Sequence, residues 1–263
     1  MPFSGQQNLF ASFEDIALGA RGEGLANSVT VIEGMDSMTI NLAAFGGVRK
    51  FMSGTHFLSS RRTGAGDGYF RSYSIGALVP KTFCSRNGTM GFLFRYRNPN
   101  GTQEKTMQFG YSTWQLLRTK KGVLDFGGNF KMLGLTAVQS GDSASSFALD
   151  IGSILRLGDG KTVGLSFLNI NSPAFNLAPV VDKAPFTMRL GYSEDREDYL
   201  LSMDFVKRSG SSGASSNYSL NSGYEYLWRT YKSGIFSTRA GLSLGDNSSS
   251  LSMGMSYKLV ATE

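Results

Sequence analysis

This chain contains few residues of the types that act as nucleophiles, general bases or metal ligands. His56 is the single histidine and Cys84 the single cysteine, so a Ser-His-Asp or Cys-His arrangement would have to use His56. His56 falls on the first alternating segment, where a histidine that faces an interior or a turn is the simpler interpretation. One histidine and one cysteine also leave no pair with the spacing of metal ligands. The sequence therefore predicts no enzyme, no metal site and no cofactor.

Five arginines share a property that suits ligand binding, since each falls on a polar position of a segment in which apolar and polar residues alternate. They are Arg95, Arg97, Arg189, Arg229 and Arg239. Successive side chains of a strand point to opposite faces, so these guanidinium groups would point away from the apolar face. One interpretation pairs them with carboxylates on other polar positions, namely Asp150, Asp204 and Glu225. The other lets one or more of them bind the carboxylate of an acyl ligand, which a guanidinium group can hold through two hydrogen bonds.

The longest predicted connection is a second candidate binding region. It runs from Asn169 to Phe186 and contains three of the six prolines together with several apolar residues. Long loops of membrane barrels lie on the outer side and carry function. Four of its residues are candidates for a partner-binding surface or for a groove that admits an apolar ligand: Pro173, Phe175, Leu177 and Pro179. A structured loop without a binding role is the third interpretation.

Strands must position these residues, because apolar and polar residues alternate through most of the chain after residue 50. In Ser250–Leu259, "SLSMGMSYKL", the alternation is complete. Similar segments lie near 51–60, 69–80, 88–97, 105–118, 122–135, 146–157, 161–170, 186–193, 197–207, 218–229 and 236–244. The separators are short and rich in Gly, Asn, Asp and Ser, which is typical of turns and leaves no room for crossover helices. We therefore predict an antiparallel meander.

The face opposite the apolar one indicates the environment of this sheet. It carries mostly Ser, Gly, Asn and Thr, and only 17% of all residues are charged while 12% are aromatic. Soluble sandwiches place many charges on the outer face, whereas outer-membrane barrels turn apolar side chains to lipid and polar ones to the lumen. The prediction is an all-β fold, an antiparallel transmembrane β-barrel of about 12–14 strands, with a compact N-terminal segment packed against it. A soluble β-sandwich or solenoid is the alternative.

Charge and the N-terminus set further limits. The formal net charge is +6, but the basic residues are scattered, and their densest groups are the pairs Arg61-Arg62 and Lys120-Lys121. No nucleic-acid partner is therefore predicted.

The first ten residues lack the basic head, apolar core and cleavage site of a signal peptide. This leaves either a cytosolic protein or a numbering that begins at a mature or cloned start.

Residues 1–50 do not alternate in this way, and they carry a resemblance to a known family. Ile16–Gly47 contains Gly19-Ala20-Arg21, a run of small residues, an acidic turn near Asp36 and Asn41-Leu42-Ala43-Ala44. In this order the features resemble the opening of the FadL-like outer-membrane barrels, particularly the branch that contains PorV. The resemblance continues in the family's order through Ser74–Pro80, Leu149–Leu157, Gly164–Phe175, Arg189–Ser193, Gly223–Trp228 and Arg239–Leu244.

The resemblance implies a hatch, residues 1–47, that plugs a barrel formed by residues 48–263. Arg21 and Asn41 are then hatch residues, and Arg21 has the same two interpretations as the arginines of the barrel. Leu42 stands where the family motif has Pro, and the chain ends at "YKLVATE" without two further strands that the family usually has. Family members pass hydrophobic molecules such as long-chain fatty acids sideways into the membrane, or act as partner barrels of secretion machinery, as PorV does in type IX secretion.

We accordingly expect a bacterial outer-membrane barrel, in contact with outer-membrane lipid, that acts as a non-enzymatic partner or assembly barrel of a secretion or surface-export machine. Its partner would then be a protein of that machinery. The alternative is a transporter of hydrophobic molecules across the outer membrane, with a fatty-acid-like ligand in place of a protein partner.

Overall fold

The computed structural model describes residues 13, 16–62, 68–81, 88–99, 101–138, 140–177, 180–209, 216–230, 234–246 and 249–259. Residues 16–48 form a mostly buried, compact stretch that we call the inner segment. It contains the short helix α1 (Gly19–Gly24) and two 3-10 turns, Met35–Ser37 and Leu42–Phe45. The second turn begins where the side chain of Asn41 accepts a hydrogen bond from the backbone N–H of Ala43, as helix-capping residues do.

Most of the remaining described chain is β-structure, because its residues alternate with the period of a strand. The strands are β1 (Met52–Arg62), β2 (Gly68–Pro80), β3 (Gly88–Asn98), β4 (Thr102–Thr113), β5 (Leu117–Thr119), β6 (Gly122–Ala137), β7 (Ser143–Leu157), β8 (Lys161–Leu168), β9 (Ala174–Leu177), β10 (Val180–Lys183), β11 (Thr187–Asp195), β12 (Tyr199–Arg208), β13 (Asn217–Thr230), β14 (Gly234–Gly245) and β15 (Ser249–Leu259).

Within the described residues, 13 strands form one antiparallel sheet in which neighbours along the chain are neighbours in space. The order is β1-β2-β3-β4-β6-β7-β8-β11-β12-β13-β14-β15, and β5 pairs with β6 to lengthen that hairpin. β9 and β10 form a separate hairpin inside the connection that the sequence interpretation treated as a loop. The end of the sheet that carries this connection is called the loop end, and the opposite end the turn end. The predicted antiparallel meander is confirmed.

The sheet turns its apolar face outward. Phe57 on β1 is 62% exposed and Met253 on β15 is 78% exposed. On the opposite face polar and charged side chains are buried, and Arg189 and Asp204 are 1% and 0% exposed. Burying polar groups is costly unless they are paired, and an exposed apolar band is unfavourable in water, so this arrangement suits strands that face lipid. The predicted orientation, with apolar side chains outward and polar ones inward, is confirmed.

The inner segment approaches the wall closely because nearly every strand of the main order places a glycine on its inward face. We call these residues the glycine belt: Gly54, Gly76, Gly91, Gly110, Gly127, Gly152, Gly164, Gly191, Gly223, Gly241 and Gly254. A Cβ on Gly152 would lie 2.0 Å from Oδ1 of Asn41, and one on Gly241 would lie 2.5 Å from the backbone nitrogen of Ala26. At Gly152 and Gly241 only glycine leaves space for the inner segment.

Apolar side chains of the inner segment supply the core inside the sheet. Met38, Leu42 and Phe45 are fully buried and belong to the same cluster as Leu78 on β2 and Leu93 on β3. Each such side chain contributes roughly 1.5–3 kcal/mol when it is removed from water. The described helices include none that is long and apolar enough to cross a membrane.

Candidate functional site

Arg189 on β11 holds the wall and the inner segment together. Its Nη2 lies 2.9 Å from Oδ2 of Asp204 on β12, and its Nε donates to Oγ1 of Thr30 at 3.0 Å. Thr30 donates to the same carboxylate oxygen through its hydroxyl and its backbone N–H. Arg189 also donates to the backbone carbonyl of Asn27. Because a deeply buried charge requires a paired and hydrogen-bonded partner, this cluster fastens the inner segment to the wall.

Glu225 on β13 organises a second cluster around α1. Its Oε1 lies 2.6 Å from Nη2 of Arg239 on β14. Its Oε2 accepts hydrogen bonds from Nε and Nη2 of Arg21 at 2.9 and 2.8 Å. Arg239 also donates to Oγ of Ser256 on β15 at 2.8 Å. One carboxylate therefore binds an arginine of the wall and an arginine of α1.

One interpretation of the sequence predicts that Asp150, Asp204 and Glu225 pair with the arginines of the polar face. Two of these carboxylates, Asp204 and Glu225, form ion pairs with arginine in the structure. The third carboxylate, Asp150, lies 3.0 Å from Nζ of Lys131, a lysine that the sequence reasoning did not consider. The side chain of Arg229 lies outside the described residues.

Arg95 and Arg97 lie on β3, beside α1. Arg97 is 3.1 Å from Oε2 of Glu104 on β4, and its guanidinium carbon lies 5.0 Å from the ring centre of Phe70. Arg95 donates to the backbone carbonyl of Ile16 at 3.4 Å and is 5% exposed. Both arginines therefore face the inner segment, as the alternation of β3 predicts.

Asn41 connects the inner segment to itself and to the wall. Its Nδ2 donates to the backbone carbonyl of Thr30 at 2.9 Å and to that of Ser153 on β7 at 3.3 Å. The neighbouring Leu42 is fully buried, and a Cβ on Gly110 would lie 2.4 Å from it. The 3-10 turn therefore forms with Leu in place of the family's Pro.

The connection between β8 and β11 folds inward over the loop end. Phe175 is fully buried, and its ring stacks on that of Phe13 with centres 4.8 Å apart. Pro173 is buried, and Leu177 packs against the same apolar cluster. Phe175 therefore belongs to the core rather than to an open groove, because the hairpin turns it toward apolar residues of β6 and β7. Pro179 lies outside the described residues.

Two cavities adjoin α1. The first has a volume of about 540 Å³, and its lining includes His56, Phe70, Ser72, Ser74, Arg95 and Arg97. The second has a volume of about 410 Å³ and lies toward the loop end, with Arg189, Arg208, Asn217, Asn221, Ser243 and Asp246 in its lining. Ile16, Glu23 and Ser252 line both, so these three residues lie between the two cavities. Cavities of this size accept small organic ligands.

Burial raises the pKa of two carboxyl groups of the inner segment, Glu23 and Asp36. Loss of hydration is the largest cause for both, and it is opposed by Arg97 for Glu23 and mainly by Arg21 for Asp36. His56 lies beside Asp36, since a Cβ on Gly19 would be 2.7 Å from Nδ1 of His56 and 2.9 Å from Oδ1 of Asp36. The single histidine therefore faces the inner segment.

Two further features bear on catalysis and on metal binding: a sequence motif in β14 and the placement of side chains that could be metal ligands. Gly241–Gly245, "GLSLG", has the letters of the Gly-x-Ser-x-Gly motif, but it lies within β14 and not at the strand-to-helix turn that the motif requires. Its Ser243 donates to Oδ1 of Asn221 at 2.8 Å. Across the described ranges, no group of three or more His, Cys, Asp or Glu side chains could hold a metal ion.

Sequence reasoning missed Glu23, Glu104 and the glycine belt. The belt left a signal, because glycine recurs at an inward position of nearly every alternating segment, as Gly152 and Gly191 show. Glu104 lies directly across from Arg97 in the β3–β4 hairpin, so the register of that hairpin would have revealed the pair.

Comparison with solved structures shows the fold of the chain. The structure described as "TodX deltaS2S3 mutant monoaromatic hydrocarbon channel" matches with a TM-score of 0.58 and 10% identity, over 88% of this chain and 83% of that chain. A second structure, from work on the in-meso crystallization of membrane proteins, matches with a TM-score of 0.48 and 10% identity, over 79% and 84%. No family model and no curated protein matches. The fold is an antiparallel transmembrane β-barrel with a small N-terminal hatch segment.

Proposed function

We propose that this chain lets small hydrophobic molecules cross the bacterial outer membrane through its lumen, without covalent chemistry. The observation that carries the proposal is the pair of adjacent cavities beside α1, inside a sheet whose outer face is apolar. The likeness to a monoaromatic hydrocarbon channel supports it.

The lining of the first cavity suits such a molecule. Leu58 and Phe70 supply apolar surface, while Ser72 and Ser74 supply hydroxyl groups. Small-molecule sites combine apolar walls with a few polar groups in this way. The cavity also touches Met253 of the outward apolar face, next to which lipid would lie. A ligand in the first cavity is therefore close both to the interior and to the apolar exterior of the barrel.

The same proposal assigns residues 1–47 to the hatch and residues 48–263 to the barrel, in contact with outer-membrane lipid. Arg21, Arg189 and Arg239 are then structural, because Glu225 and Asp204 bind them. Arg95 and Arg97 line the first cavity and remain candidates for ligand contact.

A secretion partner and membership of the PorV branch stay predictions from the sequence resemblance. The fold likeness favours the transport alternative, since the description of the matched structure names a hydrocarbon channel and no secretion partner. A fatty-acid-like ligand likewise stays a prediction.

A cavity-filling substitution tests the proposal. Ser72 lines the first cavity, whereas the next residue, Tyr73, points outward and is 46% exposed. We expect Ser72→Trp to fill the cavity and to remove most of the radiolabelled toluene that the wild-type protein retains in lipid nanodiscs, after subtraction of empty nanodiscs. The matched variant Tyr73→Trp keeps an aromatic ring on the outer face and should bind as the wild type does.

Two results would contradict the proposal. One is a wild-type protein that retains no more toluene than empty nanodiscs. The other is equal retention by the wild type and by a folded Ser72→Trp protein.

A further inference from the structure

The two cavities share part of their lining beside α1. Ile16, Glu23 and Ser252 are common to both linings, and we call these three residues the waist. Glu23 brings the only charged side chain to the waist. The glycine belt holds the inner segment against most of the wall, so a ligand that moves between the two cavities passes this carboxyl group.

The charges around Glu23 are arranged as opposed pairs. On the first-cavity side, Arg95 and Arg97 carry positive charge, and Glu104 lies 3.1 Å from Arg97. On the second-cavity side, Arg189 is bound by Asp204. Glu23 adds a further carboxylate on the first-cavity side, so that two arginines face two carboxylates there. Its Oε1 is buried and accepts no hydrogen bond from the described residues.

We infer that Glu23 selects ligands by charge, so that the passage takes uncharged hydrophobic molecules in preference to anionic ones of the same shape. A ligand carboxylate at the waist would be repelled by the carboxylate of Glu23 and would have to compete with it for Arg95 and Arg97. Removing the charge of Glu23 should therefore admit anions without weakening the binding of neutral molecules.

The inference rests on the proposed function and is tested with two probes of the same shape, benzyl alcohol and benzoate. Equilibrium dialysis at pH 8 against the full chain in nanodiscs measures both, with empty nanodiscs as the blank. We expect the wild-type protein to bind benzyl alcohol and to discriminate against benzoate. In Glu23→Gln the affinity for benzoate should rise on the order of tenfold, because Glu23 no longer repels the ligand carboxylate. Benzyl alcohol should change by less than about twofold, because it carries no charge for Glu23 to repel.

Two further variants control for general effects on the fold. Glu33 belongs to the same inner segment, but it binds Arg156 at the turn end and lines neither cavity, so Glu33→Gln should leave both affinities unchanged. Ser252 lies at the waist, and adding Ser252→Asp to Glu23→Gln returns a carboxylate to this place. The double variant should regain the preference for benzyl alcohol.

The outcomes separate the two proposals. If benzyl alcohol binds but Glu23→Gln leaves benzoate affinity unchanged, or shifts both probes together, the selection by Glu23 is refuted and the proposed passage stands. If neither probe binds to any variant beyond empty nanodiscs, the proposed passage fails and the inference fails with it.

Discussion

The glycine belt gives the most specific prediction about how this chain folds. Gly127 and Gly128 are adjacent on β6, but they point to opposite faces of the sheet. A Cβ on Gly127 would lie 2.5 Å from the backbone nitrogen of Ala43 and 2.6 Å from the carbonyl carbon of Leu42. A Cβ on Gly128 would meet nothing nearer than 3.9 Å. Neither glycine has a positive φ, so the two substitutions differ in space and not in backbone strain.

The expected magnitudes follow from this difference. The atoms that Gly127→Ala would strike belong to the backbone of the hatch and cannot rotate away, so overpacking should cost about 1–3 kcal/mol. Gly128→Ala restricts the unfolded chain without a clash and should be neutral or stabilise by about 0.4–1 kcal/mol. Thermal unfolding in detergent, followed by circular dichroism, should place the Tm of Gly127→Ala below that of the wild type and that of Gly128→Ala at or above it.

Hydrogen exchange adds a local readout for the same pair. The amides of Leu42–Phe45 should lose protection in Gly127→Ala and keep it in Gly128→Ala, because only the first substitution displaces this turn. Equal Tm values for the two variants, or a larger loss in Gly128→Ala, would show that the hatch does not pack against the wall as the structure has it.

The buried carboxylates give two more predictions. Glu225→Gln leaves Arg21 and Arg239 without their shared carboxylate and should cost on the order of 3–5 kcal/mol in chemical unfolding. Glu194→Gln removes a surface ion pair with Arg196 and should cost far less, because solvent screens that pair. Similar losses for both variants would contradict the cluster. Burial raises the pKa of Asp36 above its unfolded value, so the folded protein binds this proton more tightly and loses stability as pH rises through the raised pKa. Asp36→Asn should therefore increase Tm at pH 8 relative to the wild type and lose this advantage near pH 3, and an increase that does not depend on pH would refute the assignment.

The strands and their orientation could be predicted from the sequence because both depend on local patterns. The alternation in Ser250–Leu259 gives β15 and its outward face directly, and the scarcity of charge opposite that face indicates a lumen rather than solvent. The polar-face arginines Arg95 and Arg189 were found for the same reason, and both point inward in the structure.

The contacts between hatch and wall could not be predicted, because they depend on the path of the inner segment. Arg21 and Glu225 are separated by 204 positions, and no local pattern relates them. The inward position of Phe175 depends on a four-residue hairpin strand, β9, whose apolar residues the sequence also allows in an open loop. The waist at Glu23 requires both the path of α1 and the two strands it approaches, so it becomes visible only in three dimensions.

The most direct test of the proposed function is transport in cells. Initial uptake of radiolabelled toluene would be compared in bacteria with an intact outer membrane that express the wild-type chain, Ser72→Trp, Tyr73→Trp or an empty vector, with outer-membrane levels of the protein matched by immunoblot. If the chain is a channel for hydrophobic molecules, cells with the wild type or with Tyr73→Trp should take up toluene faster than cells with the empty vector. Cells with Ser72→Trp should take it up at the vector rate. Uptake at the vector rate in cells that carry the wild-type protein in the outer membrane would contradict it.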